Sequence, residues 1–437
     1  MLTIEGFAKA KQLLKRTDFS KSTISPQIKS RIQEIFGEDL SIEEVTKRII
    51  KEVQEDGDSA IRRYTKAIDG IIVNNIEVSK KEITDAYNMV DKKLLAALEL
   101  AARRIEDFHV ACKPEIGISY VNPMLGRHIR PLNKVGLYIP GGTAAYPSTV
   151  LMTAIPAKVA GVNEVIIASP PNKKGDIPVS TLAAAKITNV SSVFKIGGAQ
   201  AISALAYGTE SVPRVDKICG PGNIFVTMAK KMVYGAVDID GLEGPSEILI
   251  VADETANPML CAADILAQAE HDVLAVPIVI TTSSELAKLV DMEITKQLNE
   301  LERCAIATHA VENGAIILVN NIDQAVELIN LYAPEHVSLM VADALELIPR
   351  IYNAGCIFIG DNSPVALGDY IAGPSHVLPT GGNARFSSPL GVDDFLKITD
   401  IINSDKKTIQ ELGPAAMLIA RTEGLNGHAK AIELRLN

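Results

Sequence analysis

Eight short apolar runs limit this chain to few architectures. They lie at 135–139 (VGLYI), 164–168 (EVIIA), 193–196 (VFKI), 215–218 (VDKI), 247–251 (EILIV), 278–281 (IVIT), 315–319 (AIILV) and 356–359 (CIFI). Helical patterns separate most of them. A strand apolar along its whole length is buried on both faces, and alternation with helices is how parallel sheets acquire such cover. The expectation is α/β, with two such units, one boundary near 136 and another near 247. The first third reads as helices. Ser41 with Glu44 and Ser79 with Glu82 are S-x-x-E capping boxes, and 80–110 repeats apolar residues at three- and four-residue spacing. A glycine- and proline-rich stretch at 373–391 leads into a separate C-terminal piece.

Composition excludes several classes. The 43 Lys and Arg against 53 Asp and Glu leave a net charge of −10, with no basic block, so nucleic acid is not expected as a partner. Tryptophan is absent and aromatics make up 4%, which argues against a base-stacking platform and requires an aliphatic core. No apolar stretch is long enough to span a membrane. The N-terminal MLTIEGFAKAKQLLKR lacks the apolar block of a signal peptide, so a cytoplasmic location is expected. Five scattered cysteines (Cys112, Cys219, Cys261, Cys304 and Cys356) form no CxxC pair and suggest neither a disulfide framework nor a thiolate zinc knuckle.

Four of the runs end in or lead from glycine loops: IPGG (139–142), IGGAQ (196–200), CGPGN (219–223) and GLEGPSE (241–247). Glycine lets a phosphate approach the backbone beyond a strand's carboxyl end. Short strand-to-helix loops need glycine in any case, and GxGxxG is missing, so a dinucleotide site would be of another type. Among the seven histidines, three settings stand out. Gln268 and His271 sit three apart in DILAQAEHD, a spacing that shares a helix face. Glu335 and His336 are adjacent in YAPEHVSL, two proton acceptors side by side. Asp369, His376 and His428 follow in ALGDY, GPSHVLPTGG and EGLNGHA, residue types that ligate zinc. Each setting also has a purely structural explanation. The residues alone leave open a thiol-dependent dehydrogenase, a zinc hydrolase using His271, Asp369 and His428, and a silent metal-binding scaffold.

Taken in order, VGLYIPGG, IGGAQAISALAYGTESVPRVDKI, GPGN, GPSE, LAQAEHD, LYAPEHV, GDYIAGPSHVLPTGG and EGL-x-x-H resemble the histidinol dehydrogenase family. The resemblance runs from about residue 130 to 430, and several long motifs agree at once. It implies two Rossmann-like, aldehyde-dehydrogenase-like parallel-sheet domains with small N- and C-terminal helical segments. Their divisions are 1–32 (N-terminal segment), 33–136 plus 248–390 (first α/β domain), 137–247 (NAD-binding domain) and 391–437, which would reach a partner's active site in a homodimer. It implies one Zn²⁺ per subunit on Gln268, His271, Asp369 and His428. Glu335 and His336 become the catalytic pair. Ser246, His376 and Glu423 join the metal ligands and His336 as substrate contacts. Tyr138, Gln200 and Asn223 become NAD⁺ contacts. The implied reaction takes L-histidinol through histidinaldehyde to L-histidine with two NAD⁺, the last steps of histidine biosynthesis. His336 would take the alcohol proton and Glu335 a proton from water, with zinc as a template.

Overall fold

Both capping boxes form. Ser41 opens the helix Ile42–Asp56 and Ser79 opens Lys80–Met89, each side chain accepting from the third residue on while that residue's carboxylate accepts from the cap N–H. Each cap contributes about 1 kcal/mol. With Lys92–Cys112, these helices realise the helical first third. The computed structural model describes residues 1–16, 26–141 and 144–436. Gly142 of the IPGG loop and part of the 1–32 segment therefore lie outside the described residues.

Strand β1 (Leu2–Glu5) opens the chain, and β2 (Gly117–Tyr120) and β3 (Leu125–Pro131) form a hairpin. Next come β4 (Lys134–Tyr138), β5 (Glu164–Ser169), β6 (Ser192–Lys195), β7 (Lys217–Cys219) and β8 (Asp238–Ile239). They are followed by β9 (Glu247–Ala252), β10 (Val276–Thr281), β11 (Ala315–Leu318), β12 (His336–Met340) and β13 (Cys356–Ile359). Strand β14 (Leu396–Ile402) is the last.

Strands β4 to β8 make a wholly parallel sheet ordered β6-β5-β4-β7-β8. Strands β9 to β13 make a second, ordered β11-β10-β9-β12-β13, with β1 added beside β11. Each block of five thus has the order 3-2-1-4-5, the doubly wound arrangement whose chain reverses direction across the sheet between its first and fourth strands. The eight apolar runs fall on or beside eight of these strands. The core is aliphatic, as the missing tryptophan required. In the helix Gly198–Tyr207 residues 199–206 are all buried, and its small side chains let it lie close on the first sheet. Gly136 of β4 is part of that fit, because a Cβ there would meet Leu205 at 2.9 Å.

By its internal contacts the chain divides into a large unit, Met1–Lys113 with Leu132–Phe395, and a small one, Pro114–Pro131 with Leu396–Asn437. The large unit holds both parallel sheets. In the small one, β14-β3-β2 form an antiparallel sheet and the helices Lys406–Thr422 and Asn426–Leu436 pack together. Among the described residues no helix is long and apolar enough to cross a membrane.

Candidate active site

Adjacent Glu335 and His336 occur where a helix turns back into the sheet. The helix Ile322–Tyr332 ends at Ala333 in a left-handed conformation (φ 51°), Pro334 blocks further helix, and His336 is the first residue of β12. The register sets His336 between Ile248 of β9 and Cys356 of β13. Both catalytic candidates are buried, 7% and 2% exposed, so their polar atoms must find partners.

Those partners come from one residue. The backbone N–H of Glu247 donates to Glu335 Oε2 at 2.9 Å, and the Glu247 carbonyl lies 3.1 Å from His336 Nδ1. Nδ1 is therefore the protonated nitrogen, and Nε2 carries the lone pair when the ring is neutral. Nε2 is buried without a hydrogen bond. Asp369 Oδ1 is 3.6 Å away, within ion-pair reach but too long for a hydrogen bond.

Burial drives the Glu335 carboxyl up to about 7, against the downward pull of His336 and the Glu247 amide. Burial also disfavours charge on His336. The Glu335 and Asp369 carboxylates outweigh it and carry the imidazole up to about 9. Asp369, at the end of the helix Val365–Tyr370, would be raised by burial; His336, His376 and His271 overcome this and hold it below the usual range. The half-buried His376 has Nδ1 2.7 Å from the Asp369 carbonyl, and its desolvated ring is held below its ordinary pKa.

His336, Asp369 and His376 line a cavity of about 300 Å³, with Phe358, Leu367 and Ser375 among its walls. Its size is at the lower end of small-molecule sites. Ser246 lies one residue before Glu247, half-buried. Gln268 and His271 do not share a helix face as their spacing suggested. The helix Pro258–Ala269 ends between them, leaving Gln268 buried within it and His271 exposed in the turn that follows. The cause is the Glu270 cap and the tight turn in which His271 N–H donates to the Gln268 carbonyl.

Glu423 and His428 belong to the small unit, where both are exposed at the junction of its two helices. Among the described residues no three His, Cys, Asp or Glu side chains group as a metal cluster. The amide of Gln268, the imidazole of His271 and the carboxylate of Asp369 still form a nitrogen and oxygen donor set of the kind zinc accepts. Three imidazoles acting on one carboxylate mark where such donors converge in this unit.

The cofactor candidates gather at the carboxyl ends of the first sheet. Tyr138 ends β4, and its hydroxyl accepts from Gly198 N–H at 3.1 Å, where the helix after β6 begins. Gln200, fully buried in that helix, has neither amide atom hydrogen-bonded. Asn223 caps the helix after β7, accepting from Phe225 and Val226 N–H, which leaves its amide NH₂ free of that duty. Strands β4 and β7 flank the sheet's switch point, where nucleotides bind in such folds. A buried unpartnered amide beside it fits a dinucleotide.

Gly220 in that loop has φ +113°, and a Cβ there would sit 2.1 Å from the Tyr138 carbonyl, so only glycine fits. Lys230, fully buried, ties the loop down, with Nζ 3.1 Å from the Gly220 carbonyl, 2.5 Å from Asp240 and 2.6 Å from Glu243. Sequence reasoning gave no role to Glu247, Lys230 or Phe358. Glu247 stands inside the GPSE motif, which was the available signal; the other two had none.

The family model described as histidinol dehydrogenase matches residues 36–436. The histidinol dehydrogenase of Dehalococcoides mccartyi is 50% identical over 438 residues, all of both chains. That of Clostridium acetobutylicum is 50% identical over 404 residues, 91% of this chain and 93% of that one. The crystal structure of histidinol dehydrogenase from Elizabethkingia anophelis superposes with a TM-score of 0.90 at 35% identity, covering 100% of this chain and 98% of that one.

Proposed function

This chain belongs to the histidinol dehydrogenase family, and from that premise we propose that it oxidises L-histidinol to L-histidine in two NAD⁺-dependent steps at one zinc-bearing site. The observation that carries the mechanism is the double use of Glu247, whose backbone fixes two proton acceptors side by side at one cavity. Zinc on Gln268, His271, Asp369 and His428 of the partner subunit would orient the substrate's imidazole and amine, and NAD⁺ would accept the hydride in each oxidation.

The protein's own groups move the protons. In the first oxidation, His336 Nε2 takes the hydroxyl proton as the carbon loses hydride, giving the aldehyde. Its Nδ1–H bond to the Glu247 carbonyl holds Nε2 toward the cavity and supports the imidazolium that forms. In the second, Glu335 takes a proton from water as the water oxygen bonds to the aldehyde carbon. The resulting hydrate loses hydride and a proton to give the acid. A carboxylate raised to about 7 is matched to that work at neutral pH. The buried site keeps the aldehyde from solvent amines between the steps. Ser246, His376 and Glu423 complete the substrate contacts, and Tyr138, Gln200 and Asn223 on the 137–247 domain hold NAD⁺. We assign the enzyme to the cytoplasm as a homodimer.

The test is the NADH yield per L-histidinol consumed, measured by absorbance on zinc-loaded protein with excess NAD⁺. Two NADH per histidinol, abolished by a chelator and restored by zinc, are expected. One NADH would leave a simple alcohol dehydrogenase, and none would end the reading.

A further inference from the structure

Arg16 follows the helix Phe7–Leu13 within the N-terminal segment, far in sequence from every motif of the site. Its guanidinium makes a bidentate pair with the Glu247 carboxylate, NH1 to Oε1 and NH2 to Oε2, the latter at 2.7 Å. It also stacks on the Tyr332 ring at 3.6 Å, and Nε donates to the Tyr332 carbonyl at 3.0 Å. Gly382 faces the same side chain; a Cβ there would stand 3.3 Å from Arg16 Nε. One arginine therefore touches the GPSE, LYAPEH and PTGG segments together. The Glu247 carboxylate is buried (5% exposed), and Arg16 is its only ion-pair partner among the described residues.

We propose that Arg16 is a positioning residue for the catalytic pair. It acts through Glu247, whose N–H orients Glu335 and whose carbonyl orients His336. The inference rests on the functional reading above, since it concerns the geometry of that proton transfer. The planar guanidinium supplies the bidentate pair, the stack and the third hydrogen bond at once. An ammonium cannot reproduce that set. Without it the buried Glu247 carboxylate loses that ion pair, the start of β9 shifts within the sheet, and both catalytic groups drift from the cavity. Displacements on the order of 1 Å cost about 100-fold in rate.

The experiment compares wild type, Arg16→Ala and Arg16→Lys by kcat and KM for L-histidinol and NAD⁺, with zinc content and Tm alongside. Wild type is measured first; if it makes no NADH from histidinol, the functional reading fails and this inference goes with it. With an active wild type, Arg16→Ala should lose at least about 10-fold in kcat, with both KM values and zinc content little changed. Arg16→Lys, which keeps the charge and most of the packing, should be nearly as slow. Free guanidinium at non-denaturing concentration should restore much of the Arg16→Ala rate and none of the Arg16→Lys rate. Full activity in Arg16→Lys would overturn the proposal, as would loss without guanidinium rescue. An Arg16→Ala protein that falls only in Tm would also overturn it. If Arg16→Ala does not fold, the Arg16→Lys rate decides alone.

Discussion

Two neighbouring side chains here face different fates in the same burial. Desolvation keeps Glu335 protonated up to about 7, whereas His336, flanked by two carboxylates, keeps its proton up to about 9. A base works only after losing its proton, so the raised values move activity to higher pH. NADH formation from histidinol should rise with pH as His336 loses its proton; a rate that falls as pH rises would refute His336 as the base. The division of labour gives a second expectation. Glu335→Gln should still oxidise histidinol to the aldehyde within about 10-fold of wild type, yet oxidise supplied histidinaldehyde about 100-fold more slowly, in line with loss of a general base. Stopped-flow traces of the two half-reactions decide it, and equal loss in both would sink the assignment. Glu335 and His336 were readable as a pair from YAPEHV. Their orientation was not, because it comes from the backbone of Glu247, and a main-chain N–H and C=O look the same under any side chain.

Elements were legible where local chemistry specifies them. The capping boxes and the eight apolar runs carry their own signals, and both formed. Three kinds of element were not. Strand β1 is four residues, LTIE, largely exposed, and defined only by pairing with β11 more than 300 positions away. Strand β12 begins with a histidine and looks like the continuation of a turn, although all five of its residues are buried. The helix carrying Gln268 stops at Ala269, two residues before its spacing suggested. At Gly220 a loop meets a strand with no room for a methyl group. Gly220→Ala should lower stability by about 3 kcal/mol, from the disfavoured φ and the contact with Tyr138. It should also weaken NAD⁺ binding more than histidinol binding, which thermal melts and cofactor titration would check. A melt unchanged from wild type would show that the loop can relax.

At the scale of the whole molecule, the order of motifs along the chain identified the family, while nothing in the sequence marked the division into a large and a small unit. Glu423 and His428 are exposed on the small unit, and the proposed function assigns them to a partner's site. That leads to a complementation test. Glu335→Gln and His428→Asn chains, each nearly unable to form histidine alone, should regain about a quarter of the wild-type rate of histidine formation when refolded together at equal amounts. Half of the dimers would then be mixed, and each mixed dimer would hold one intact site. No recovery would mean that each subunit builds its site from its own His428. One further consequence follows from which strand ends the two sheets use. Tyr138, Gln200 and Asn223 lie at strand carboxyl ends, where helices begin; Gln268, His271, Glu335 and Asp369 all stand at or just past helix C-termini. Helix macrodipoles place partial positive charge at the first location and partial negative charge at the second, each worth about 0.3–1 kcal/mol for a suitably placed ion. The first location thus favours an anion and the second a cation, before any side chain is counted.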